Sequence, residues 1–148
     1  MKSEDTIDFH IKRTWQSIAK MYNEEASKYE ATMATGYVLL NIDIEHGTPS
    51  TALGPKMGME ATSLSRILKN MEERGLIERR RTPADGRSVL VYLTDFGKEK
   101  RLDAREAVVQ FNKVVFATVG EDKLQTFFEV INQVNDLITN RKIYQQKA

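Results

Sequence analysis

The spacing of apolar residues changes twice between Ala61 and Gly97, and few folds accept that order. Leu64, Ile67, Leu68 and Met71 recur at three- and four-residue steps, the stripe of an amphipathic helix running from about Ala61 to Arg74. Gly75 ends it. Leu76–Arg81 and Ser88–Leu93 then read as strands, the second rich in β-branched and aromatic side chains. Pro83 and Asp85-Gly86 between them are hairpin punctuation. Thr94 is a good N-cap, with Asp95 favourable in the first turn, so a helix resumes there.

Upstream, a short helix is expected from Ser50 to Met57, closed by Gly58 where a left-handed residue is common. Pro55 inside it loses a backbone bond and should kink or shorten it. The order helix, tight turn, helix, hairpin, helix is that of a winged helix-turn-helix. Around it the periodicity predicts more helices. Ile7, Ile11, Trp15, Ile18, Tyr22 and Tyr29 mark a long first one, and Thr35–Ile44 is apolar nearly all round. His46-Gly47-Thr48-Pro49-Ser50 reads as a turn. The helix after Thr94 should run to about Val119, with Val108, Phe111, Val115 and Val119 on its apolar face. Gly120-Glu121-Asp122 breaks it, and a last helix carries Leu124, Phe127, Phe128, Ile131, Val134 and Ile138. The fold class is mainly α with a small β-hairpin wing.

Charge distribution says more than net charge. The 148 residues sum to +1, but residues 48–101 carry 11 basic and 7 acidic side chains, densest at Arg79-Arg80-Arg81. A basic patch on a neutral chain suits a polyanion bound at one place. Cysteine is absent, which removes disulfides, thiolate metal sites, thiol nucleophiles and thiol redox sensing. Two histidines alone, His10 and His46, are a poor metal site, and there is no phosphate-cradling glycine loop or nucleophile elbow. An enzyme is therefore not expected, and no cofactor is implied. No apolar run approaches the ~20 residues of a membrane span, and the polar N-terminus does not read as a signal peptide. The expected location is cytoplasmic.

With Leu64, Ile67, Leu68 and Met71 buried, Thr62, Ser65, Arg66 and Lys69 point away from the core, and Ser63 and Asn70 lie at the borders. All can donate to base edges or phosphates in a major groove. At the hairpin tip, Arg87 is expected to enter a narrow minor groove, with Asp85 holding its side chain and Gly86 permitting the turn. Arg79 and Arg81 share one strand face and Arg80 takes the other, so some should meet phosphates while another solvates the hairpin's back.

The run Leu76-Ile77-Glu78-Arg79-Arg80-Arg81-Thr82-Pro83-Ala84-Asp85-Gly86-Arg87, followed by Leu93-Thr94 and Gly97, resembles the wing signature of the multiple antibiotic resistance regulator (MarR) family. The stretch from Leu53 to Ile77 resembles its helix-turn-helix, although Gly54-Pro55 departs from the usual pattern. The resemblance implies a homodimeric regulator, released from pseudo-palindromic double-stranded DNA by a small molecule. Residues 1–34 and 100–148 would form the dimerisation region and residues 35–99 the DNA-binding domain. The unpartnered stripes Ile7–Tyr29 and Leu124–Ile138 fit pairing across a two-fold, the alternative being packing on their own subunit. Family effectors are often aromatic or anionic, and His10, Arg13, Trp15, Tyr22 and Tyr37 are the candidates to touch one. A rival reading is a winged-helix module that binds protein, which would need an apolar exposed helix face.

Overall fold

A computed structural model describes residues 1–82 and 88–145. The expected tip residues Asp85, Gly86 and Arg87 lie outside the described residues. The chain divides into two compact units, residues 1–107 and 108–148. No helix among the described residues is long and apolar enough to cross a membrane.

The first unit opens with a 3-10 turn at Ser3–Asp5 and helix α1 (Ile7–Ser27), followed by α2 (Met33–Asn41). Then come strand β1 (Thr48–Pro49), helices α3 (Ser50–Met57) and α4 (Ala61–Glu73), and strands β2 (Ile77–Arg81) and β3 (Val89–Leu93). Helix α5 (Asp95–Val119) begins here. One core joins these elements: Val38, Leu39 and Ile42 from α2 and its end, Leu53 from α3, and Leu64, Leu68 and Met71 from α4. Leu76, Ile77, Val91 and Leu93 close it from the sheet. The stripe read from periodicity is thus the buried face of α4, with Ile67 packed at its edge.

Two local expectations need correction. The stretch around Thr48 is not only a turn, because Thr48–Pro49 pairs antiparallel with β3, giving a three-stranded sheet of order β1-β3-β2. Thr48 is buried, and its Oγ1 accepts the Asp43 N–H at 2.8 Å. Proline is tolerated there because β1 is an edge strand. Helix α2 also starts two residues earlier than expected and stops at Asn41, before Ile42 and Ile44. Thr32 Oγ1 caps its start by accepting the Thr35 N–H at 3.3 Å. At its end, Arg101 Nη1 of α5 donates to the carbonyls of Leu39 at 2.9 Å and Ile42 at 2.7 Å. A cation on a helix's orphan carbonyls also complements its dipole.

Helix α3 keeps Pro55 in its last turn and ends at Gly58, which is left-handed at φ 62°. The Leu93-Thr94-x-x-Gly97 motif is a joint. Thr94 Oγ1 donates to the Gly75 carbonyl at 2.5 Å and accepts the Gly97 N–H at 3.0 Å, capping α5. Gly97 is buried so tightly that a Cβ there would stand 1.9 Å from the Leu76 carbonyl oxygen. The joint fixes the start of α5 against the turn between α4 and the wing.

The second unit holds the end of α5 and helix α6 (Glu121–Thr139), with Gly120 between them at φ 94°. Leu124 is buried, and Phe128 packs with Phe116 and Phe127 at ring-centroid distances of 6.3 and 5.8 Å. Much of the α6 stripe stays open, with Phe127 at 53% and Ile138 at 59% exposure.

Candidate nucleic-acid interface

Helix α4 is two-faced. Its buried side is Leu64, Leu68 and Met71, and opposite them Thr62, Ser63, Ser65, Arg66, Lys69 and Asn70 are all exposed. The face carries two cations, three hydroxyls and an amide, with no large apolar side chain. That is the chemistry that reads a groove floor and wall. Its acidic residues, Glu72 and Glu73, lie in the last turn. Glu60 holds the N-cap position but makes no capping bond from its side chain.

The three consecutive arginines have unequal fates, which the strand register settles. Ile77, Arg79 and Arg81 alternate on one face and Glu78 and Arg80 on the other. Arg79 Nε reaches back to Glu72 Oε2 of α4 at 3.4 Å, tying the wing base to α4. Arg80 pairs with Glu78 and lies over the Tyr92 ring, 4.2 Å from its centroid. Arg81 is exposed and forms no ion pair with another described residue. Of the candidate wing cations Arg79 and Arg81, then, only Arg81 is without an ion pair among the described residues. Arg79 is already shared with a carboxylate.

The candidate effector residues divide as well. Trp15 stacks on Tyr37 at 6.4 Å with the rings 10° from parallel, and Tyr22 meets the same ring edge-on at 6.5 Å. These three form an aromatic nest between α1 and α2, with Trp15 still 48% exposed. Burial raises the Tyr22 hydroxyl's pKa, with a smaller push from Tyr37, and burial likewise raises that of Tyr37, so both phenols are neutral near pH 7. His10 sits apart from the nest, with Nε2 2.8 Å from the Glu4 carbonyl and its ring edge-on to Phe9. Arg13 is exposed on α1 and joins none of these ring contacts.

Sequence reasoning missed the Arg101 clamp on α2 and the loop that precedes β1. In that loop the Asp43 carboxylate accepts the N–H groups of Glu45 and His46 at 2.9 and 2.8 Å. Those bonds, with smaller help from His46, hold its pKa below the ordinary value. The Asp-x-x-His spacing was the available signal for this turn. Nothing local signalled Arg101, whose partners lie about sixty residues upstream.

A family model described as MarR family matches residues 32–89. Over 145 residues the chain is 31% identical to the organic hydroperoxide resistance transcriptional regulator of Bacillus subtilis strain 168, spanning 91% of this chain and 95% of that one. Among solved structures it is similar to the PcaV transcriptional regulator from Streptomyces coelicolor in complex with its natural ligand. That pair shares 25% identity over 92% of this chain and 96% of the other, with a TM-score of 0.78. The S. aureus MepR–DNA complex shares the fold at a TM-score of 0.82, with 14% identity over 88% of this chain and 97% of that one.

Proposed function

The chain belongs to the MarR family of DNA-binding transcriptional regulators, and we propose that it acts in the cytoplasm as a homodimeric repressor released from a pseudo-palindromic operator by a small molecule. One observation carries the DNA reading: the exposed face of α4 is polar, with Arg66 and Lys69 on it and its two carboxylates confined to the last turn, while its other face locks into the core. A docking face for protein would need apolar anchors there. In this reading Thr62, Ser63, Ser65, Arg66, Lys69 and Asn70 meet the major groove, and Arg81 meets the phosphate backbone. Asp85, Gly86 and Arg87 supply the minor-groove contact argued from sequence.

The dimer reading rests on apolar surface that each unit leaves in solvent. Ile7 is 61% exposed on α1, and Phe127 and Ile138 are as open on α6. A second copy covering these stripes removes them from water, at roughly 25 cal/mol per Å². A two-fold also sets two α4 helices about 34–36 Å apart, one turn of duplex. For the effector we favour the Trp15–Tyr22–Tyr37 nest, which offers flat rings and neutral hydroxyls to an aromatic molecule. The Bacillus relative is named for organic hydroperoxide resistance. This chain has no cysteine to oxidise, so its effector is read as a non-covalent ligand.

The test is a gel shift of the full chain on the DNA upstream of its own gene, at two salt concentrations. Retardation that weakens steeply with salt supports the reading, because phosphate contacts release counterions. Absence of retardation at low salt, or binding indifferent to salt, overturns it.

A further inference from the structure

Away from the aromatic nest, a concavity opens where the loop after α2 meets the first turns of α5. It is a cleft of about 370 Å³ lined by Ile44, Lys98, Glu99, Arg101, Leu102 and Arg105, a size within the range of small-molecule sites. Helical spacing puts Lys98, Arg101, Leu102 and Arg105 on one face of α5, with Glu99 at its edge. Three cations thus face the cleft against one carboxylate. Ile44 and Leu102, both exposed, give it apolar flanks.

The cations are not equivalent. Lys98 Nζ is 3.9 Å from Asp95 Oδ1, a loose pair in solvent. Arg105 is exposed and forms no ion pair with a described residue. Arg101 is half-buried, and its Nη1 is pinned by the two α2 carbonyls. Pinning one nitrogen orients the whole planar guanidinium, so its remaining N–H donors are held in place at the cleft wall. A fixed guanidinium fork matches a carboxylate in two parallel bonds and spends little ordering entropy on doing so.

We propose that this cleft binds an amphipathic carboxylate, with its head on Arg101 and Arg105 and its apolar tail between Ile44 and Leu102. The carboxylate compensates the excess positive charge, and the tail covers the two exposed aliphatic side chains. The site is separate from the nest on α1 and α2, and it does not depend on how the nest is used.

The experiment is calorimetric titration of the full chain with octanoate, with acetate and octanol as half-ligands. Wild type should bind octanoate more tightly than either half. Arg105→Gln and Leu102→Gln should each weaken it about tenfold or more, as expected for losing a charge-assisted bond or an apolar contact. Both side chains are exposed, so the variants should melt like wild type. Trp15→Ala should leave octanoate binding unchanged. The proposal is overturned if wild type binds octanoate no better than acetate or octanol, or if both cleft variants bind it as wild type does. Loss of binding in Trp15→Ala alone would also overturn it and would instead assign octanoate to the aromatic nest. None of these outcomes touches the gel shift on which the DNA reading stands.

Discussion

The winged lobe and the terminal helices both carry apolar stripes but close them differently. Between Val38 and Leu93, eleven apolar residues among those described, from five segments, meet in one core. Along α1 no residue is fully buried, and along α6 only Leu124 is. The lobe can be satisfied by a single chain. The terminal stripes, as far as each unit shows, are left for something else to cover. The contrast teaches that an amphipathic helix reports a need for burial without saying which molecule supplies it.

The contrast breaks first if core truncation is harmless. Met71 is wholly buried, so Met71→Ala should cost about 2–5 kcal/mol of folding stability, measured by urea unfolding. Phe127→Ala probes the other region. Its ring is half in solvent, so the subunit fold should survive. Dimer dissociation, measured by sedimentation across concentrations, should become easier by roughly 2–3 kcal/mol, because symmetry removes the ring twice. An unchanged dimer would shift the interface away from α6.

Within the lobe, Arg66→Ala and Arg80→Ala sharpen the division between free and occupied cations. Losing Arg66 should cost about 1–3 kcal/mol per half-site, with relaxed preference at one base position if it reads a base. Losing Arg80, already held by Glu78 and Tyr92, should change DNA affinity by less than about 0.5 kcal/mol. Equal losses in a binding titration would mean that the Arg80 contacts open on DNA.

The smallest effect concerns Asp43. Its folded pKa lies below its ordinary value, so its ionised form stabilises the fold above the ordinary carboxylate range. That contribution is lost as pH falls through the lowered folded value. Asp43→Asn keeps an acceptor for the two N–H groups but removes the charge, and melting curves should show less loss on acidification than wild type does.

Much of the candidate interface was legible because helical and strand periods are carried by neighbours a few residues apart. Leu64 to Met71 marked the face of α4 that sinks, and so marked Thr62, Ser65, Arg66 and Lys69 as the face that does not. Thr94 announced the α5 cap within three residues of the N–H it accepts. The nest was legible only as separate aromatics on two helices, since nothing local says that Trp15 will lie flat on Tyr37.

By itself the sequence determined the order of elements and which side of each helix is apolar. The tertiary structure decided the remainder. It turned Thr48–Pro49 into an edge strand, because β3 offered a free row of hydrogen-bonding groups. It stopped α2 at Asn41, where Arg101 took the open carbonyls. It also tied Arg79 to Glu72 and Arg80 to Glu78 and Tyr92, according to which carboxylate or ring lay within reach. Those outcomes depend on groups distant along the chain. Only folding brings them within the few ångströms over which a hydrogen bond or ion pair acts.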